Sequence, residues 1–161
     1  MISTGDTLPE ANFLRMGAEG PEAVALSALT AGRKVVIFGL PGAFTGTCTT
    51  AHVPSFIKNR EALAAQGVEE VICLSVNDPF VMAAWSDATG AAKGGVTMLG
   101  DADGSYTAAI GLGFDAPPAG LIGRSQRYAM LVENGVVTQL NIEAAPGTCD
   151  LSGAETLLGQ L

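Results

Sequence analysis

Residues 34–48 read KVVIFGLPGAFTGTC. The first seven of them, residues 34–40, are mostly β-branched or apolar and end at Pro41. A short apolar run that is bounded by a turn residue predicts a buried strand. We therefore expect this stretch to be a core strand that leads through a tight turn to Cys48.

The residues after the turn predict a helix from Thr45 toward Arg60. Thr45 is a suitable N-cap residue, which places Cys48 in the first helical turn. Pro54 predicts a kink or a break in this helix, because proline has no backbone N–H to donate. The unpaired N–H groups and the positive dipole end of a first helical turn favour an anion, here the thiolate of Cys48.

The rest of the chain alternates between strands and helices. Apolar runs predict four further strands, at residues 70–76, 96–99, 127–132 and 136–142. Helix signals predict three further helices, at residues 79–88, from Ser105, and after a capping box that begins at Ser152. Asn134-Gly135 between the last two strands is a hairpin turn signal. The order predicts an α/β fold, a central mixed sheet with helices on both faces, in which sites form at strand-to-helix turns.

Composition limits the classes of partner. The chain has 161 residues, with 8 Lys or Arg against 16 Asp or Glu and a net charge of −8 at pH 7. Such a field repels phosphate backbones and anionic lipid, so we expect no nucleic acid and no membrane as partner. The length fits one domain, residues 1–161. The start of the chain lacks the features of a secretory signal peptide, and three cysteines do not make a disulfide scaffold, so we expect a cytoplasmic protein with reduced thiols.

The residues alone leave several interpretations of Cys48 open. A free cysteine is most often a small buried apolar residue, although the threonines around Cys48 are poor lining for an apolar pocket. His52, the one histidine, lies a helical turn away, which leaves open a Cys–His hydrolase as well as plain helix packing. A zinc site is also open, although no pair of candidate ligands has zinc-knuckle spacing. A reactive thiolate is the fourth interpretation.

Pro41, Thr45 and Cys48 match the signature P-x-x-x-[T/S]-x-x-C, and in this motif the chain resembles the peroxiredoxins. The residues around the signature resemble the type II branch: Pro41 to Thr45, His52, Pro54, Phe56, the stretch from Cys73 to Trp85, and the stretch from Gly123 to Met130. The resemblance covers nearly the whole chain. Gly46-Thr47 is a departure, since many members have a proline at that place.

The resemblance implies a thioredoxin-like fold and the reduction of hydrogen peroxide and alkyl hydroperoxides through a sulfenic acid at Cys48. It implies that Thr45 and Pro41 take the other signature roles and that Arg127 is the active-site arginine. Negative charge builds on the leaving oxygen, so we expect the Thr45 hydroxyl, the first-turn N–H groups and the Arg127 guanidinium to stabilise it. No cofactor and no metal is implied, because the cysteine itself undergoes the redox change. Arg124 is expected to be a solvated loop charge or an interface group.

The two remaining cysteines differ in their surroundings. Cys73 lies in the predicted strand 70–76, and we expect it to be buried, with a raised pKa and low reactivity. Cys149 lies in a predicted loop, which we expect to be exposed and mobile, and its place resembles that of the resolving cysteine in the animal peroxiredoxin-five group. We therefore expect a transient disulfide between Cys48 and Cys149, the alternative being a one-cysteine enzyme that uses glutathione.

The resemblance also implies partners: a hydroperoxide substrate, glutaredoxin with glutathione or thioredoxin as reductant, and a second copy of the chain in a homodimer. The alternative function is a peroxide-sensing redox switch in which oxidation of Cys48 signals to a partner protein.

Overall fold

The computed structural model describes all 161 residues. The strands are β1 (Asn12–Gly17), β2 (Gly20–Ala25), β3 (Lys34–Gly39), β4 (Glu70–Ser75), β5 (Val96–Gly100), β6 (Gly113–Ala116), β7 (Leu121–Ser125), β8 (Tyr128–Glu133) and β9 (Val136–Ile142). The α-helices are α1 (Leu26–Thr30), α2 (Val53–Lys58), α3 (Arg60–Ala65), α4 (Pro79–Thr89), α5 (Ser105–Ala109) and α6 (Ala154–Leu158). A π-helical turn, Cys48–His52, precedes α2.

Seven strands form one mixed sheet in the order β2-β1-β5-β4-β3-β8-β9, and β6 pairs with β7 in a separate ribbon. The central strands β3, β4 and β5 are parallel, whereas the outer strands pair antiparallel to their neighbours. None of the helices combines the length and the apolarity that crossing a bilayer requires.

The two faces of the sheet are both covered, which explains why β3 reads as a continuous apolar run. Val36 and Phe38 pack on one face against α2, α3, α4 and α6. Val35 and Ile37 pack on the other face against α1 and α5. The predicted fold class, a mixed sheet with helices on both faces, is therefore confirmed.

The predicted strands lie within two residues of their expected positions. Asn134 and Gly135 form the β8–β9 turn with positive φ angles of 49° and 79°, the backbone that a two-residue hairpin requires. The Asp78 carboxylate caps α4 by accepting from the Val81 N–H at 2.9 Å. The capping box expected at Ser152 is wrong, because α6 begins at Ala154 without a side-chain cap.

The break expected at Pro54 takes the form of the π-helical turn. There the Val53 N–H donates to the Cys48 carbonyl, five positions earlier. Pro54 has no N–H to offer the Thr50 carbonyl, so an α-helical ladder cannot continue through this point. The wide turn carries Cys48 at its start and His52 at its end, and both side chains are fully buried.

Candidate active site

The turn after β3 is held from two sides. The Ala43 N–H donates to the Asn77 side-chain oxygen at 3.0 Å, just after β4. Arg124 of β7 donates to the Pro41 carbonyl at 3.1 Å, and its guanidinium occupies the space that a Cβ on Gly42 would need. Arg124 is thus half-buried against this turn, and the expectation of a solvated loop charge is wrong.

Thr45 begins the helix through its backbone rather than its side chain. Its carbonyl accepts from the Thr49 N–H at 3.1 Å, as an N-cap carbonyl does. Its hydroxyl donates to the Gly42 carbonyl at 2.7 Å and so ties the helix start to the turn. Phe44 between them has a φ of 63° and a side chain that is 56% exposed.

Sheet topology brings Cys48 and Arg127 together. β3 and β8 are antiparallel neighbours with Gly39 opposite Tyr128, so the end of β3 meets the start of β8. Arg127 directly precedes β8, and its Nη2 donates to the Cys48 sulfur at 3.2 Å although the two residues are 79 positions apart. The Cys48 side chain is fully buried and Arg127 is 2% exposed.

The other donors of Arg127 are also engaged. Nε and Nη2 donate to the Pro146 carbonyl at 3.2 and 2.8 Å, and Nη1 donates to His52 Nδ1 at 3.1 Å. The three salt bridges of the protein all lie elsewhere, and Arg127 contacts no carboxylate. A buried cation without an anionic partner is costly, and the Cys48 sulfur is the one group in contact with the guanidinium that could carry a negative charge.

His52 is a neutral ring with both nitrogens in use. Nε2 lies 3.0 Å from the Ser152 carbonyl, which can only accept, so the proton is on Nε2 and Nδ1 accepts from Arg127. Burial, together with the charge of Arg127, lowers the pKa of His52 to about 3. A ring that is engaged in this way is no base for Cys48, which argues against the Cys–His hydrolase.

Residues 144–152, here called the 144–152 loop, close the site on its outer side. The Thr47 hydroxyl donates to the Gly147 carbonyl at 3.1 Å. At the far end, Glu143 Oε1 accepts from the Ser152 N–H at 2.7 Å and from its hydroxyl at 2.9 Å. Burial acts to raise the pKa of Glu143, but the hydrogen bonds from Ser152 and Thr148 outweigh it and hold that pKa below its ordinary value.

A groove of about 290 Å³ opens beside these residues. Its wall includes Pro41 and Thr45 from the turn, Arg127 from the sheet, and Pro146 and Gly147 from the 144–152 loop. Cys48 lies behind the Arg127 guanidinium. The groove thus leads to the Arg127 guanidinium, which donates to the Cys48 sulfur.

Known proteins are similar to this chain in sequence over nearly its whole length. A family model described as Redoxin matches residues 3–158. The chain is 45% identical over 161 residues to Peroxiredoxin-2C of Oryza sativa subsp. japonica, which covers 99% of this chain and 98% of the relative. The chain belongs to the peroxiredoxin family. Peroxiredoxin-2C of Arabidopsis thaliana is 41% identical with the same coverage, in agreement with the type II branch.

A solved peroxiredoxin confirms the thioredoxin-like fold. The crystal structure of reduced Prx3 from Vibrio vulnificus in complex with H₂O₂ matches with a TM-score of 0.91 and 47% identity, covering 99% of both chains. As a peroxiredoxin, this protein is a thiol-dependent peroxidase and an oxidoreductase, with a peroxide as substrate and a thiol as reductant.

The three cysteines of this peroxiredoxin are free thiols in different settings. Cys73 is fully buried in β4, and burial raises its pKa well above the ordinary value, as predicted. Cys149 is half-buried instead of fully exposed, and burial raises its pKa too. Its sulfur lies next to Gly153, where an added Cβ would be 3.9 Å away.

Sequence reasoning missed the residues that support the Cys48–Arg127 pair. Pro146 and Glu143 carry no motif, and the motif of Ser152 indicated a capping box instead. Each of the three contacts a residue that is distant in sequence or on another element. For His52 the sequence left helix packing, a contact near the pocket and a Cys–His base open; the structure shows that His52 contacts Arg127, which in turn contacts the Cys48 sulfur. Its i, i+4 spacing from Cys48 was the one available signal.

Proposed function

We propose that Cys48 is the peroxidatic cysteine of this enzyme. The observation that carries the proposal is the contact of Arg127 Nη2 with the Cys48 sulfur at 3.2 Å, in a buried setting where the guanidinium has no carboxylate partner. Cys48 also lies in the first helical turn, where unpaired N–H groups and the positive end of the helix dipole attract an anion.

The proposed reaction is a displacement on oxygen. The Cys48 thiolate attacks one peroxide oxygen, an S–O bond forms, and the O–O bond breaks with its electron pair moving to the leaving oxygen. That oxygen takes a proton and departs as water or alcohol, while Cys48 becomes a sulfenic acid. Arg127 and Thr45 are proposed to donate to the peroxide oxygens, which requires exchange of their present acceptors, the Pro146 and Gly42 carbonyls.

Pro41 is proposed to shape the turn that presents Thr45. It has no N–H, so its backbone adds no donor that would compete with Thr45 for the substrate. Its carbonyl is held by Arg124, which fixes the turn against β7. Pro41 also lines the groove.

Cys149 is proposed to resolve the sulfenic acid. Its thiolate attacks the Cys48 sulfur, an S–S bond forms as the S–O bond of the sulfenic acid breaks, and the leaving hydroxide takes a proton and departs as water. The Thr47–Gly147 hydrogen bond supports this step, because it joins the neighbour of Cys48 to a position two residues before Cys149. Gly46 has open space around it and eases the local unwinding that the two sulfurs need in order to meet.

One equivalent of peroxide is expected to link Cys48 and Cys149. After thiol blocking, peptide mass spectrometry without reductant should find the linked pair in wild type and in Cys73→Ala, the control that keeps both reacting thiols. Cys149→Ser should instead retain a sulfenic acid at Cys48. A mixed glutathione disulfide at Cys48 of the wild type, with Cys149 still free, would contradict the proposal and indicate a one-cysteine enzyme.

The physiological reductant is proposed to be thioredoxin, or glutaredoxin with glutathione, and the protein is proposed to work in the cytoplasm, where thiols stay reduced. Peroxide consumption is measured with thioredoxin, with glutaredoxin plus glutathione, and with neither, which shows which of the two reductants the enzyme uses. Thioredoxin turnover that is lost in Cys149→Ser supports a Cys48–Cys149 disulfide as its substrate. Absence of turnover with both reductants would contradict the proposed partners.

We also propose a homodimer around the turn after β3. Three large apolar side chains are exposed there: Phe44 at 56%, Phe80 at 63% and Ile122 at 63%. Each lies within three residues of a group that holds the turn, namely Ala43, Asn77 or Arg124. Apolar side chains grouped in this way mark an association surface, and a two-fold contact uses the same surface on both copies.

Sedimentation velocity at micromolar concentration is expected to give twice the chain mass for the wild type. Phe44→Ser combined with Phe80→Ser should shift the protein toward the monomer, because the shared surface loses apolar area. Leu151→Ser, which alters a half-exposed leucine of the 144–152 loop, is the control and should stay dimeric. A monomeric wild type would exclude the dimer.

A further inference from the structure

We propose that His52 is a positioning residue, whose Nδ1 sets the direction in which the Arg127 guanidinium faces the Cys48 sulfur. The inference rests on the proposed function of Cys48 and Arg127 and deepens it. It assigns a role in peroxide reduction to a side chain that does not touch the sulfur.

The contacts of Arg127 divide into a mobile set and a fixed set. The Pro146 carbonyl accepts from Nε and Nη2, but Pro146 is an exposed residue of the 144–152 loop. The part of that loop that carries Pro146 and Cys149 has to move if Cys149 is to reach Cys48, whereas its last residue, Ser152, is fully buried. His52 Nδ1 accepts from Nη1 and belongs to a fully buried ring. When the loop moves, His52 is the neutral acceptor that still holds the guanidinium.

The His52 ring is itself locked in place. The Ser152 carbonyl accepts from Nε2 at 3.0 Å, which leaves Nδ1 as the acceptor for Arg127. The ring packs against Phe38 of β3, with ring centroids 4.8 Å apart. The Ser152 backbone is in turn anchored by Glu143. A protonated ring could not accept from Arg127, and its lowered pKa keeps His52 neutral over the working range.

Two substitutions separate positioning from packing. In His52→Asn the amide oxygen takes the place of Nδ1 and can accept from Arg127, but nothing reaches the Ser152 carbonyl. In His52→Gln the amide nitrogen takes the place of Nε2 and can donate to the Ser152 carbonyl, but the acceptor for Arg127 is lost. Asparagine is one methylene shorter than glutamine and leaves the larger space in the same core, so a purely structural role predicts the larger loss in His52→Asn.

The rate of sulfenic acid formation, measured by stopped flow under single-turnover conditions, is expected to differ between the two variants. His52→Gln should be slower than the wild type by roughly ten- to a hundredfold, since misplacing a reacting donor by about 1 Å costs on that order. His52→Asn should stay within about threefold of the wild type, since the acceptor for the guanidinium is restored. The melting temperature should fall at least as far in His52→Asn as in His52→Gln, because asparagine leaves the larger cavity. Equal rates in the two variants, or rates that follow the melting temperatures, would overturn the proposal.

A double-mutant cycle tests whether His52 acts through Arg127. In an Arg127→Lys background, His52→Gln should slow the reaction by less than about twofold, because the planar guanidinium that His52 positions is gone. An undiminished effect there would overturn the positioning role. The two levels of the proposal fail differently: an unchanged rate in Arg127→Lys alone refutes the role of the guanidinium geometry of Arg127, whereas a slow Arg127→Lys with a normal His52→Gln refutes only that of His52.

Discussion

Replacing Cys48 by serine is expected to abolish peroxide consumption while leaving the fold intact. A hydroxyl at this position stays protonated at neutral pH and cannot accept an oxygen atom as a thiolate does, so no sulfenic acid forms. Serine is close to cysteine in size, and its oxygen can still accept from Arg127 Nη2, so the buried guanidinium keeps its partner. The measurement is peroxide consumption with an excess of thiol reductant, alongside circular dichroism.

Cys73→Ala is the matched control for this experiment. Cys73 is a second fully buried thiol with a strongly raised pKa, and it lies in β4 and not beside the Arg127 guanidinium as Cys48 does. The Cys73→Ala variant should keep wild-type turnover, although the cavity that it creates lowers the stability of the fold. Turnover above a few per cent in Cys48→Ser, or its loss in Cys73→Ala with the fold intact, would remove Cys48 from the peroxidatic role.

The sequence carries a clear signal for the centre of the sheet and little for its margins. β3 and β4 are buried on both faces, so each reads as an apolar run and was predicted. In β1 only Phe13 is fully buried, and in β2 no residue is, so neither strand has the alternation that predicts one. These two strands, like the ribbon of β6 and β7, are held by pairing with neighbours, which a local pattern does not contain.

The candidate site also has one part that the local sequence predicts and another that it does not. Thr45 and Cys48 lie within one turn of chain, so their motif is visible in the sequence. Arg127 joins them only because β8 runs beside β3, and the family resemblance rather than any local pattern pointed to it. Ser152 was misread because its local pattern fits a capping box, whereas its hydroxyl is taken by Glu143 across the loop.

Arg127→Lys and Thr45→Val are each expected to slow sulfenic acid formation by roughly 10²–10³-fold, the usual cost of one lost donor to a developing oxyanion. Lysine keeps the charge, but a single ammonium cannot reach the Cys48 sulfur, His52 Nδ1 and a peroxide oxygen as the planar fork does. Valine keeps the shape of Thr45 and removes the hydroxyl that now donates to Gly42. Stopped-flow oxidation under single-turnover conditions measures the step directly.

Thr45→Ser is the control that separates the hydroxyl from the methyl group. It keeps the donor and should recover most of the rate, whereas a loss as large as that of Thr45→Val would show that side-chain packing, not hydrogen bonding, matters at this position.

For Arg127, an oxidation rate that Lys leaves unchanged would show that positive charge alone suffices. The fork geometry, with its contacts to sulfur, imidazole and the Pro146 carbonyl, would then serve only to close the 144–152 loop. Arg127→Met also removes the charge. If it slows oxidation more than Arg127→Lys does, one part of the rate enhancement depends on the charge and another part on the geometry of the guanidinium.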